Sequence, residues 1–183
     1  MKLKQSMALA IAMTAVLLMG GTTVANAASP EDTWSEPQSV TFDAPASSAG
    51  SSSTARAAAA SKITCTVQTN SAHYSDGSNG VIAKIRASCK GTCGCEPTVS
   101  VRVQGLLSWS STESPYTKYK KVRTTDTTKT FKTDGTQVTT YIPQLGQDGY
   151  RANGWYIATG TLDPADAPAV SSTNGPRHVT DVP

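Results

Sequence analysis

Four cysteines are the side chains in this sequence best suited to chemistry. Cys65 stands alone, whereas Cys89, Cys93 and Cys95 lie close together in the segment CKGTCGC. Four thiolates could bind zinc, but zinc ligands are usually spaced C-x2-C, since two intervening residues let the chain curl around the ion. The C-x3-C-x-C spacing fits this poorly, whereas an even number of cysteines in a small domain is typical of disulfides. We therefore predict disulfides, with no metal and no cofactor.

One pairing follows from the faces of two predicted strands. Apolar and polar residues alternate around Cys65 and again before Cys89, which is the period of a half-buried strand. Cys65 shares a face with Val67, and Cys89 shares a face with Ala87. If both faces line one core, Cys65 and Cys89 meet across adjacent strands.

The remaining cysteines leave several pairings and functions open. Cys93 and Cys95 could bond through the flexible Gly94, giving a strained, reducible bridge and a thiol oxidoreductase. Cys89 could instead bond Cys93 as a structural clamp. A clamped loop at 92–98, held extended, would suit a secreted protease inhibitor.

The segment His73-Tyr74-Ser75-Asp76 contains acid, base and nucleophile types. Adjacent loop residues rarely point at one another, and catalytic triads are assembled from distant segments. The sequence also lacks the G-x-S-x-G and H-E-x-x-H motifs of common hydrolases. We interpret these residues as solvated loop positions and predict that the protein is not an enzyme.

The densest basic run, KYKKVR, contains Lys118, Lys120, Lys121 and Arg123. On an edge strand, lysines resist edge-to-edge aggregation, which is a purely structural role. The same run could bind an anion such as a cell-wall polyanion, an acidic glycan or a membrane surface, with nearby aromatic rings stacking on sugars. The whole chain carries a net charge of only +3, which argues against a nucleic-acid partner.

The elements that must position these side chains are short strands. Alternating segments rich in Val, Thr, Tyr and Lys recur from 62 to 162, punctuated by Gly and Pro, with no sustained helical period. Six or seven such strands in about 100 residues predict an all-β domain, a single immunoglobulin-like β-sandwich.

The two ends of the chain differ from this domain. Residues 1–27 have the order of a secretory signal peptide: Lys2 and Lys4, then an apolar run too short to span a membrane, then the cleavage motif Ala25-Asn26-Ala27. Residues 28–61 are rich in Ser and Ala, which predicts a disordered linker or propeptide. Residues 163–183 are Pro-rich and are predicted to be irregular. The protein is thus expected to be extracellular.

A looser pattern runs from about 63 to 107. It consists of Cys65, a polar loop with His73 and Ser75, Gly80 opening a strand that ends in Cys89, and a V-x-V strand at Val99 and Val101. This resembles the small secreted β-domain proteins of unknown function of actinobacteria. The resemblance implies no activity, and Cys93 and Cys95 depart from its pattern.

These observations favour a secreted, non-enzymatic binding or cell-surface accessory protein. Its expected partner is a cell-wall polyanion or glycan, or another secreted protein. A protease inhibitor is the alternative, and a thiol oxidoreductase is the least favoured.

Overall fold

The computed structural model describes residues 33–44, 62–92 and 98–183. Two antiparallel sheets pack together, which confirms the predicted all-β sandwich. The strands in the described ranges are β1 (Gln38–Asp43), β2 (Lys62–Thr69), β3 (His73–Ser75), β4 (Gly80–Gly91), β5 (Thr98–Ser110), β6 (Lys120–Lys132), β7 (Asp134–Ile142), β8 (Gly154–Asp163) and β9 (Val170–Val179).

Strand pairing follows an immunoglobulin-like order. One sheet runs β1-β2-β4-β7, with β3 pairing the first residues of β4; it is called the five-stranded sheet. The other, the four-stranded sheet, runs β6-β5-β8-β9. If β2 and β4 are named A and B, the later strands take the places of C, C′, E, F and G, with A-B-E facing C′-C-F-G. Strand β1 is an addition outside strand A.

A tyrosine corner supports this assignment. Near the start of β8, the position of strand F, the buried Tyr156 hydroxyl donates a hydrogen bond to the carbonyl of Ala152. Immunoglobulin-like domains place a tyrosine at this corner with the same bond to upstream backbone. Burial raises the pKa of Tyr156 above its ordinary value, so the phenol remains a hydrogen-bond donor.

The disulfide lies within one sheet. Cys65 on β2 and Cys89 on β4 are directly opposite, with their Cα atoms 4.1 Å apart and both side chains fully buried. This is the pairing that the strand faces predicted. In antibody domains the disulfide instead joins strands B and F, and its strand F cysteine lies two residues after the corner tyrosine. That position is the buried Ala158 here. Cys93 and Cys95 lie outside the described residues.

The prediction of a disordered segment over 28–61 is wrong for its described part, 33–44. Trp34 bridges to Asn70, and β1 pairs with β2 along its whole length. Phe42 is only 6% exposed and joins the core. The Ser/Ala-rich composition gave no sign of this short strand, because its position depends on pairing with β2 and on the burial of Phe42. Asp43 at the end of β1 pairs with Lys62 at the start of β2. Residues 45–61, between these strands, lie outside the described residues.

The prediction of an irregular tail over 163–183 is also wrong. Strand β9 pairs with β8 and carries Val179 into the core. Its Ser/Thr-rich sequence holds few apolar residues because it is an edge strand with one face in water. Pro176 is tolerated because β9 is an edge strand and its pairing shifts register near that point. The domain therefore extends beyond 62–162 at both ends.

The predicted signal peptide, residues 1–27, lies outside the described residues. Within the described part of the chain, no helix is long and apolar enough to cross a membrane.

A candidate binding groove on the four-stranded sheet

A pair of glycines lies at the centre of the four-stranded sheet. Gly105 on β5 is directly opposite Gly160 on β8. A Cβ atom added to Gly105 would lie 2.5 Å from Cγ1 of Ile142, and one added to Gly160 would lie 2.7 Å from Oγ1 of Thr69. Side chains of the five-stranded sheet therefore occupy the space that inward side chains would need, and the two sheets approach closely here.

The outer face of the same sheet carries a groove over Gly105, called here the glycine groove. Its volume is about 450 Å³, within the size range of small-ligand sites. It is lined by side chains and backbone from three strands: Gln104, Gly105, Leu106, Lys121, Thr124, Thr125, Asp126, Thr159 and Thr161. Strand alternation explains the set, since residues on either side of an inward position point outward.

One wall of the groove carries the Asp126 carboxylate, which Arg102 hydrogen-bonds from beside the groove. Arg102 donates two hydrogen bonds to Asp126, from Nε to Oδ1 at 2.8 Å and from Nη2 to Oδ2 at 2.5 Å. Gln104 Nε2 lies 3.4 Å from the same Oδ2, and Asp163 approaches Arg102 Nη1 at 3.7 Å. The hydrogen bond from Arg102 holds the pKa of Asp126 below its usual value. The carboxylate is thus an ionised acceptor with a fixed orientation.

The opposite wall is a ladder of hydroxyls. Thr159 Oγ1 lies 3.0 Å from Thr173 Oγ1, and Thr161 Oγ1 lies 2.7 Å from Ser171 Oγ. The hydroxyl of Tyr116 approaches Thr159 at 3.2 Å, although the Tyr116 side chain is 55% exposed. Hydroxyls both donate and accept hydrogen bonds, so this wall can match a ligand that does the same.

Together the walls are suited to binding a polyhydroxylated molecule. The charged wall offers the amide of Gln104 and the carboxylate of Asp126, and the ring of Tyr116, whose hydroxyl approaches Thr159, lies at the edge. Such groups are the few placed polar contacts that give a ligand its orientation. Within the described residues, no group of three or more His, Cys, Asp or Glu side chains is placed to hold a metal ion.

The predicted basic strip is divided by the structure. Lys118 ends a single 3-10 turn, Lys120 is the first residue of β6, and Lys121 lines the glycine groove. All three are exposed. Whether they bind an anion stays a prediction.

Arg123 does not belong with these lysines. Its guanidinium donates to the carbonyls of Asp148 at 2.9 Å, Val122 at 2.9 Å and Gly149 at 3.0 Å. It also lies over the ring of Tyr150, 5.5 Å from the ring centroid. A side chain with three carbonyl partners anchors the loop before β8, and its placement supports a structural role.

The interpretation of His73 as a solvated loop residue is wrong. It belongs to β3 and is only 5% exposed, with Nδ1 3.1 Å from the carbonyl oxygen of Ser71. The following turn, Asp76–Ser78, brings Asp76 to the surface beside it. All four residues of the segment 73–76 line one groove on the outer face of the five-stranded sheet, away from the glycine groove.

Sequence reasoning missed Gln104, Thr159 and Thr161 as site residues. Each is an ordinary outward position in a strand, and nothing local distinguishes it. The available signal was the two glycines inside strands, because glycine in a strand interior often marks a close approach of backbone or ligand. Comparison of the chain with protein-family models, with curated proteins and with solved structures found no match.

Proposed function

We propose that the protein is an exported, non-enzymatic binding protein and that the glycine groove holds a polyhydroxylated ligand, a segment of a glycan. The observation that carries this proposal is the groove itself. The hydroxyls of Thr159 and Thr161 lie on one side of it, and the Asp126 carboxylate, hydrogen-bonded by Arg102, lies on the other. Lys121 at the groove extends the recognition to glycans that bear a negative charge.

Export is supported by two independent features. The sequence begins with the positive, apolar and small-residue order of a signal peptide. The core contains a buried disulfide, and disulfides persist in oxidising compartments outside the cytosol. An extracellular location gives the groove access to cell-surface polysaccharide.

The test is glycan binding by the mature secreted protein and a variant of the groove. Gln104→Ala combined with Thr161→Val removes hydrogen-bonding groups from both walls without touching the core. We expect retention on insoluble cell-wall polysaccharide, measured by depletion from solution, to weaken by about tenfold, since each lost bond contributes about 0.5–1.5 kcal/mol.

Thr64→Val is the matched control, because Thr64 is an outward threonine on the opposite sheet and its hydroxyl pairs with that of Thr41. It should leave retention unchanged. Equal retention by the groove variant and the control would contradict the proposal. So would stoichiometric inhibition of a protease or turnover of a dithiol in place of glycan binding.

A further inference from the structure

We infer a second binding site on the outer face of the five-stranded sheet, occupied by a linear polyanion that lies along β4. Lys84, Arg86 and Lys90 point outward from this strand, alternating with the buried Ile85, Ala87 and Cys89. These three cations are called the β4 cation row. They lie on the opposite side of the sandwich from the glycine groove, so the two sites are separate.

The spacing of the row suits a repeating anion. Strand residues rise about 3.4 Å each, so Lys84 and Arg86 are about 7 Å apart along β4 and the row extends about 20 Å to Lys90. A chain with one anionic group per repeat of about 7 Å would meet Lys84 and Arg86 with neighbouring repeats. It would pass the neutral Ser88 and meet Lys90 two repeats, about 14 Å, beyond Arg86. A phosphodiester polymer with a short polyol repeat has this chemistry.

Competing carboxylates lie at the two ends of the row. Asp134 is directly opposite Lys90 on β7, and Asp76 lines the groove at Lys84, whereas Asp43 is paired with Lys62 at 3.0 Å. The neighbours of Arg86 in the sheet are neutral, Gln68 on one side and Thr139 on the other. Among the described residues, neither Lys84 nor Lys90 forms an ion pair.

Aromatic rings flank the row. The guanidinium of Arg86 lies 4.0 Å from the ring centroid of Trp34, which restrains the cation while leaving its edge open to an anion. Tyr141 on β7 is directly opposite Lys84. These rings can pack against the apolar part of a repeat while the cations meet its charge.

A second groove ends the row at Lys84. Its volume is about 600 Å³. The lining consists of His73, Tyr74, Ser75, Asp76, Gly77, Ser78, Ile82, Lys84, Tyr141 and Leu145. Ile82 and His73 form a buried floor, whereas Leu145 stands 73% exposed at the rim. The groove has room for the terminal unit of the polyanion. The carboxylate of Asp76 would repel an anionic group of the polyanion placed beyond Lys84.

The experiment compares two variants of the mature secreted protein that each lose three positive charges. K84Q/R86Q/K90Q removes the row, and K118Q/K120Q/K121Q removes three exposed lysines at and just before the start of β6, in the four-stranded sheet. Binding to poly(glycerol phosphate) is measured by calorimetry at several salt concentrations. We expect the first variant to lose affinity at least about tenfold, since three exposed ionic contacts of up to about 1 kcal/mol each are removed. The slope of log affinity against log salt should fall by about 2 to 3.

The lysine control should lose affinity by less than about threefold, because only long-range charge changes. The double variant K84Q/K90Q keeps the Arg86–Trp34 contact and the fold, and should show an intermediate loss. Equal losses in the two triple variants, or no loss in the row variant, would overturn the inference. The groove variant Q104A/T161V should keep full polyanion binding, so this result stands apart from the glycan test.

Discussion

Gly105 and Gly160 are directly opposite each other on β5 and β8, at a point where side chains of the other sheet pack against their backbone. Their missing side chains leave room for Ile142 and Thr69 of the opposite sheet, and the candidate glycan groove lies directly outside them. The same two glycines therefore affect both the packing of the two sheets and the outer surface that forms the glycine groove.

Gly105→Ala should destabilise the fold. Its Cβ would lie 2.5 Å from Ile142 Cγ1 and 2.7 Å from Thr125 Cγ2, so these buried side chains or the backbone around them must shift. We expect a loss of about 1–3 kcal/mol in the free energy of unfolding, measured by urea denaturation. Gly77→Ala is the control, because nothing lies within 4 Å of its added Cβ. Equal stability of the two variants would show that the sheets are not closely packed at Gly105.

Removal of the disulfide should be costly. Replacing Cys65 and Cys89 together by alanine removes a covalent bond between residues 24 positions apart in the sequence. The free energy of unfolding should fall by roughly 2–5 kcal/mol, because the unfolded chain is no longer constrained by this bond. Peptide mapping without reduction should recover Cys65 joined to Cys89, and no free thiol in the purified protein. A fragment joining Cys89 to Cys93 would refute this pairing.

Strand β1 should contribute to stability although it lies within a Ser/Ala-rich segment. Phe42→Ala removes a nearly buried ring, and should lower the free energy of unfolding by about 3 kcal/mol. Ser39→Ala is the matched control, since Ser39 is exposed on the same strand and should change stability by less than about 0.5 kcal/mol. An unchanged free energy of unfolding in Phe42→Ala would show that residues 33–44 do not contribute to the stability of the domain.

Arg123 should behave as an anchor and not as a ligand contact. Arg123→Gln loses donors to three backbone carbonyls and should cost roughly 1–3 kcal/mol of stability, because hydrogen bonds from charged groups are the stronger ones. Lys120→Gln, three residues earlier in the basic run, should change stability by less than about 0.5 kcal/mol. The paired thermal melts decide the matter, and identical melts would mean that the anchor is dispensable.

Acid should weaken the fold through Asp126 and Asp134. Hydrogen bonds from Arg102 to Asp126 and from Thr136 to Asp134 hold the pKa of each carboxyl below the ordinary value of about 3.8. A depressed pKa means that the contribution is complete above the ordinary value and is lost as pH falls through the folded value. Urea midpoints should therefore drop below about pH 4.

Asp126→Asn tests this pH dependence. The variant lacks the ionised pair at every pH, so it should be less stable than the wild type near neutrality and should converge with it in acid. The difference should shrink in high salt, because both partners are exposed. A constant difference at all pH values would mean that the carboxylate's charge is irrelevant.

Local alternation was sufficient to predict the sandwich and one disulfide. Val99, Val101 and Val103 point inward because successive strand residues point to opposite faces, and the same period places Cys65 and Cys89 on core-facing sides. These inferences need only a few consecutive residues. The two grooves could not be predicted in this way, since each joins side chains from several strands.

Strand register and edge pairing were decided by the tertiary structure alone. β1 and β9 have little apolar sequence and become strands because β2 and β8 offer them unpaired backbone groups. Arg123 resembles its neighbouring lysines in the sequence, but a loop more than twenty residues away supplies two of its three carbonyls. By itself the sequence determined which faces turn inward, because that depends on a period of two. Only the folded chain decided which outward residues meet, because that depends on contacts between distant strands.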